Sequence, residues 1–150
     1  MLENRQFIWD KLLEMKDSYA VTASALASVD GVAKQYNTGG AFTRGVLVVD
    51  VTAIGGGAAS SNRYTIVLQA SDTTTFTNYV GLARVVLGQP IASLIEGLGT
   101  NITPSTGRYI VPFINMVNDT IYQHLRVYTY AAGTSSKTVT FSAFLSVDKN

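Results

Sequence analysis

Apolar and polar residues alternate along much of the chain after residue 45, which is the two-residue period of a β-strand with one buried face. The clearest run lies near the end, where Val139, Phe141, Ala143 and Leu145 share one phase and Phe144 breaks the pattern. Further strands are predicted at 45–54, 64–70, 82–87, 108–115 and 121–131. Short strands without intervening helical spacers predict a mainly β fold, an antiparallel sandwich or barrel.

The common phase within each strand predicts which side chains form the core. The predicted core includes Val49, Ile66, Leu68, Val127, Val139, Phe141 and Leu145. Pro112 has no backbone N–H to donate, so its strand is expected at a sheet edge or to carry a bulge. An apolar edge strand also predicts that the protein associates with sister copies as a homo-oligomer.

The first 44 residues have a different pattern. Ile8, Leu12 and Met15 fall on one stripe, with Trp9 and Leu13 beside it, which predicts a short amphipathic helix over 2–16. Residues 18–44 are small and polar, and this pattern is typical of a weak strand or an extended arm. The chain is therefore divided into an N-terminal helix and arm, 1–44, and a β-sandwich domain, 45–150.

The arm is expected to be poorly ordered in the free protein and to bind a neighbouring subunit. Deletion of residues 1–40 should then leave the β domain folded. The residues predicted to anchor the arm at an interface are Ile8, Trp9, Leu12, Leu13, Tyr19 and Val21.

Composition narrows the classes of function. The chain has 47% apolar and 14% charged residues and no cysteine, which excludes disulfides and cysteine metal sites. Its 11 basic and 10 acidic residues give a net charge of +1, so charge alone favours neither a nucleic acid nor a membrane as partner. Charged residues interrupt every long apolar stretch, and we expect a soluble protein.

Candidate catalytic groups are few. Between residues 45 and 147 the acids are Asp50, Asp72, Glu96 and Asp119, and the one histidine is His124. A glycosidase would need two of these carboxylates to face each other. The glycines 55–57 are not followed by the Lys-Ser or Lys-Thr pair of a phosphate-binding loop. We expect no catalysis, no metal site and no cofactor.

Tyrosine and arginine are instead concentrated on two predicted strands. Both residue types are enriched at protein interfaces, where an amphipathic side chain provides a large contact area. They also occur in nucleic-acid sites, but the net charge favours a protein partner. The residues predicted to lie at a sheet edge or face of an interface are Arg108, Tyr109, His124, Arg126, Tyr128 and Tyr130.

The order of these features, with the stretches YTIVLQASDTTTF and GRYIVPF, resembles the small jelly-roll capsid cement, or decoration, proteins of tailed bacteriophages. The resemblance covers about residues 17–148. It implies a jelly-roll sandwich that binds the outside of an icosahedral shell and stabilises the major capsid protein. It also implies an oligomer with terminal arms, located on the virion exterior after synthesis in the host cytoplasm. The pronounced N-terminal helix pattern departs from the family.

Two other hypotheses remain open. The supply of aromatic residues fits a carbohydrate- or receptor-binding module of a virion, which a specific glycan ligand would support. A hydrolase would require an activity that is lost when one of the four acids is replaced.

Overall fold

The structure is a computed structural model that describes residues 10–55, 62–88, 106–133 and 136–147. In these ranges the one helical element is a 3-10 turn at Lys11–Leu13, and the remaining regular structure is β. The long strands are β1 Glu14–Val21, β6 Arg44–Ile54, β7 Arg63–Ser71, β8 Val80–Gly88, β9 Gly107–Ile114, β12 His124–Ala132 and β13 Val139–Val147. The two-residue strands are β2 Ala25–Leu26, β3 Ser28–Val29, β4 Val32–Ala33, β5 Tyr36–Asn37, β10 Met116–Val117 and β11 Thr120–Ile121.

The long strands form two antiparallel sheets. The first sheet has the order β1-β13-β6-β9, and the second has the order β2-β12-β7-β8, with β5 also paired to β12. The short strands β3 and β4 form one small hairpin, and β10 and β11 form another. The predicted mainly β, antiparallel fold is confirmed. No helix in the described ranges has the length and apolarity needed to span a membrane.

The core lies between the two sheets. One cluster of buried side chains joins Leu47 and Phe141 of the first sheet to Ile66 and Leu125 of the second. All seven core residues that the sequence predicts are 3% exposed or less, so the period-2 prediction of the core is confirmed. Each long strand buries one face in this cluster, which is why alternation alone was sufficient to identify it.

The predicted helix over 2–16 is wrong in its last residues. Glu14, Met15 and Lys16 belong to strand β1, which pairs antiparallel with β13. Met15 is fully buried in the core cluster, because pairing along β13 places it between the sheets. The first part of the predicted helix, including Ile8 and Trp9, lies outside the described residues.

The segment 18–44 does not leave the body as an arm over the described residues. Strand β2 pairs with Tyr128 and Thr129 of β12, and β5 pairs with the beginning of the same strand. The following loop is held by Asn115, a buried residue whose amide accepts from Thr43 N at 2.7 Å and donates to Ala41 O at 2.9 Å. Backbone pairing and one buried amide therefore fix this segment, and the weak-strand interpretation is the correct one.

Strand β9 is the edge of the first sheet, as the position of Pro112 predicts. Its inward residue Phe113 is buried, whereas Ile110 and Ile114, on the outward phase with Pro112, are 43% and 46% exposed. The edge therefore presents apolar side chains on the outer side of the first sheet.

Candidate functional site

The outer side of the second sheet carries a cluster of aromatic and arginine side chains, which we call the tyrosine–arginine face. It consists of Gln69, Phe76, Tyr79, Arg126, Tyr128 and Tyr130. Alternation along β12 places Arg126, Tyr128 and Tyr130 on this face, because Leu125 and Val127, on the other phase of the strand, enter the core. Tyr79 and Tyr130 are 48% and 38% exposed, so their rings are accessible to a partner.

A chain of hydrogen bonds fixes the polar atoms of this face. Arg126 Nε donates to Gln69 Oε1 at 2.8 Å, and Gln69 Nε2 donates to the Tyr130 hydroxyl at 2.9 Å. The hydroxyls of Tyr130 and Tyr79 are 3.2 Å apart. Gln69 is only 1% exposed and uses both ends of its amide in the chain. A buried amide at the centre makes this surface rigid before any partner arrives.

Aromatic rings surround the Arg126 guanidinium. Its Cζ atom lies 4.1 Å from the centroid of the Phe76 ring. The centroids of the Tyr79 and Tyr128 rings are 5.9 and 5.8 Å away. Partial burial lowers the pKa of Arg126, but a guanidinium keeps its charge in proteins. Hydrogen bonding to Tyr79 raises the pKa of Tyr130, so the Tyr130 hydroxyl stays protonated at neutral pH. The face therefore presents one fixed cation among neutral aromatic groups.

The turn between β7 and β8 supplies Phe76 and Tyr79. Ser71 Oγ donates to Asn78 O at 2.7 Å and closes the turn. Phe76 adopts a positive φ of 51°, and its ring is buried beneath Arg126. The turn thus places one ring under the cation and another beside it.

A shallow groove of about 560 Å³ runs along the face towards β8. Tyr79 and Tyr130 line one part of it, and Arg84 and Leu82 line another. Gly81 contributes no side chain at a register shift between β7 and β8, which leaves the groove open. Its volume falls within the range of small-ligand sites.

The residues predicted for the interface separate into different environments. Arg126, Tyr128 and Tyr130 share the tyrosine–arginine face, whereas His124 is only 8% exposed at the start of the same strand. Tyr109 packs against the core cluster. Its neighbour Arg108 lies on the first sheet, so the predicted set is not one surface.

Arg108 forms a bidentate ion pair with Asp50 on the first sheet. Its Nε and Nη2 atoms donate to the two oxygens of Asp50 at 2.7 and 2.8 Å. Hydrogen bonding to Asp50 raises the pKa of Arg108. The pairing occupies both groups, so neither is available as the strong charge of a binding site.

The residues predicted to anchor the arm also separate. Leu13 and Val21 are buried in the core cluster, at 8% and 5% exposure, so they stabilise the fold instead of an interface. Tyr19 packs against the core, and its hydroxyl accepts from Ser28 N at 3.0 Å. Leu12 is 75% exposed and is available to a partner. Ile8 and Trp9 lie outside the described residues.

The acidic residues occupy separate elements. Asp50 is on β6, Asp72 is in the turn after β7, and Asp119 is in the turn between β10 and β11. Glu96 lies outside the described residues. Within the described ranges, no group of three or more histidine and acidic side chains is arranged to hold a metal ion.

Comparison with known proteins adds no identification, because neither a family model nor a curated protein matches the chain.

Proposed function

We propose that this protein is a non-catalytic capsid decoration protein that binds the outer surface of a phage shell and stabilises the major capsid protein. The observation that carries the proposal is the tyrosine–arginine face, a rigid and accessible surface with the composition of a protein interface. The resemblance to cement proteins supplies the identity of the partner. The proposed location is the virion exterior.

The strand order supports a jelly-roll topology. With β2 and β5 counted as one strand along β12, and without the two small hairpins, the described residues form eight strands. In chain order they are arranged 1-8-3-6 in the first sheet and 2-7-4-5 in the second. Two four-stranded sheets that exchange strands in this way are typical of a jelly roll. In this assignment β1 and β2 are members of the jelly roll, which places part of the predicted N-terminal arm within the domain.

The chemistry of the face supports binding rather than turnover. Its tyrosines have few rotatable bonds, so ordering them in a complex costs little entropy. Their hydroxyls and Arg126 are already held by Gln69, which removes a further part of that cost. Such preorganisation favours a tight and specific contact with a repeated surface.

Co-sedimentation with expanded capsid shells tests the proposal. We expect wild-type protein to pellet with the shells and the double variant Tyr79→Ala, Tyr130→Ala to bind about tenfold more weakly or worse. Phe42→Ala is the matched control, because Phe42 is also a half-exposed aromatic residue, at 51%, outside the face. Absence of wild-type binding, or equal binding by all three proteins, would contradict the proposal.

A carbohydrate-binding function is the second candidate, and the groove beside Tyr79 and Tyr130 favours it. Aromatic rings with neighbouring hydroxyl and arginine donors can hold a sugar ring and its polar groups. A glycan array would distinguish the two functions. A specific glycan ligand whose binding is lost in Tyr79→Ala would support this candidate over shell binding.

A further inference from the structure

The second sheet has an unusual charge distribution. Its strands β2, β5, β7, β8 and β12 contain Arg63, Arg84 and Arg126 but no aspartate or glutamate. All three arginines have the outward phase, because the residues on either side of each, among the described ones, enter the core or are buried. The net charge of the whole chain is only +1, whereas the strands of this sheet carry three arginines and no acidic residue.

The register places the three arginines at the corners of a triangle on the outer side of the second sheet. Arg63 lies level with Ala132 and Gly88, and Arg84 lies opposite Val67. Arg126 lies opposite Gln69. Six residues along β7 therefore separate the first and last levels, which corresponds to roughly 20 Å at a rise of about 3.3 Å per residue. Arg84 and Arg126 flank β7 at levels two residues apart, and Arg63 lies further along the same side of the sheet, beyond the level of Tyr130.

These cations lack acidic partners in the part of the chain that the structure describes. The ion pairs there involve Lys11 and Arg108, both outside the second sheet. Burial lowers the pKa of Arg126, and the ionisable groups among the described residues that act against this shift are Tyr128, Tyr130 and Tyr79. Asp72, the first acid after β7, is in an exposed turn and is not among them.

Arg126 is also oriented in advance for a carboxylate. Its one hydrogen bond to the described residues leaves from Nε to Gln69, and its plane is held near the Phe76 ring. Among the described residues the two terminal nitrogens of Arg126 have no hydrogen-bond partner, which leaves them to bind a ligand group. Arginine binds a carboxylate with two parallel hydrogen bonds when its plane is fixed in this way.

We propose that the tyrosine–arginine face, with Arg63 and Arg84, binds an acidic protein surface, namely a patch of aspartate and glutamate side chains on the shell subunit. This inference rests on the proposed function and adds the chemistry of the partner. The near-neutral chain lacks the large positive excess on which phosphate-backbone binding depends, so a protein is favoured over a nucleic acid.

Salt-dependent binding to shells tests the inference. Affinity is measured at about 50 mM and about 500 mM NaCl for wild type, Arg84→Gln, Arg84→Glu and Arg108→Gln. Arg84 is exposed and Arg108 lies on the opposite sheet, so the two glutamine variants form a matched pair. Thermal unfolding of each variant confirms that it is folded.

We expect wild-type affinity to fall as salt rises, and Arg84→Glu to lose about tenfold or more at low salt. Arg84→Gln should lose less and show a weaker salt dependence, and Arg108→Gln should bind like wild type. Shell binding that is unaffected by salt and by Arg84→Glu would overturn the acidic partner and leave the decoration function standing. Absence of wild-type binding would overturn both. Duplex DNA binding that is tighter than shell binding and is lost in Arg84→Glu would replace the protein partner with a nucleic acid.

Discussion

The Lys16 ammonium donates a hydrogen bond to the Phe141 carbonyl at 2.7 Å, across 125 residues of chain. The same Nζ atom donates to the carbonyls of Asp17 and Tyr19 at 2.9 and 2.8 Å, and it lies 3.4 Å from the centroid of the Tyr19 ring. Lys16 is completely buried. One side chain therefore satisfies three backbone acceptors at the irregular pairing of β1 with β13.

Replacement of this lysine should destabilise the fold. Lys16→Met keeps the apolar stem but leaves buried carbonyls without a donor, so we expect a loss of about 2 to 4 kcal/mol in the free energy of unfolding. Urea denaturation measures the loss. Lys137→Met is the control, because the hydrogen bond from Lys137 Nζ to the Gly133 carbonyl at 3.3 Å is exposed and its loss should change stability little. Equal effects of the two substitutions would contradict the structural role of Lys16.

The same residue predicts a dependence of stability on pH. Burial lowers the pKa of Lys16 to about 8 from its ordinary 10.5, against a smaller opposing effect of the Asp17 charge. Between these values the unfolded chain binds more protons than the folded protein, so the Lys16 contribution to the free energy of unfolding rises with pH. The difference in stability between wild type and Lys16→Met should therefore shift in favour of wild type from about pH 7 to about pH 9.5. A constant or falling difference would exclude this titration.

Deletion of residues 1–40 should unfold the protein. The deletion removes β1 and β2 and the buried side chains of Met15, Val21 and Ala27. It also exposes the backbone of β13 on the side that β1 covers. Circular dichroism should show loss of the cooperative thermal transition. A folded truncated protein with an unchanged melting temperature would instead support the independent arm that the sequence predicted.

We expect the protein to self-associate through the edge strand β9. The edge strand β9 presents Ile110 and Ile114 on the outer side of the first sheet, and an apolar edge favours pairing with another copy. Light scattering should give a mass greater than the 16.1 kDa of one chain, and Ile110→Lys should lower it. A monomer at high micromolar concentration would contradict self-association in the free protein.

Alternation predicted the β domain well because each long strand has one face in a single core. Ile66 and Leu68 on β7, and Val127 on the neighbouring β12, are all fully buried. The edge position of β9 also followed from the sequence, because Pro112 cannot donate to a second neighbour.

The prediction of a helix over 2–16 is wrong in its last residues for a physical reason. Met15 and Lys16 are adjacent and both fully buried, so β1 does not show a regular two-residue period. The register shifts on both sides of Lys16 break the alternation, and Leu12 and Met15 then imitate helical spacing. Only the pairing with β13 decides between the two structures.

The sequence predicts three of the six residues of the tyrosine–arginine face. The period of β12 groups Arg126, Tyr128 and Tyr130, but it cannot show that Gln69 lies opposite Arg126. Tyr79 belongs to a distant turn whose path depends on tertiary contacts. Nothing in the sequence indicates that Gln69, on the outward phase of its strand, and Tyr79, after a threonine-rich turn, belong to one site.

Hydroxyl-radical footprinting on shells tests the central claim most directly. The oxidation of Tyr79 and Tyr130 is compared with that of Phe42 and Leu12, which are exposed outside the face, in free and shell-bound protein. Binding through the tyrosine–arginine face predicts strong protection of both tyrosines and unchanged oxidation of Phe42 and Leu12. Protection of Phe42 or Leu12 with no change at Tyr79 and Tyr130 would show that the shell contacts another surface, and would contradict the account.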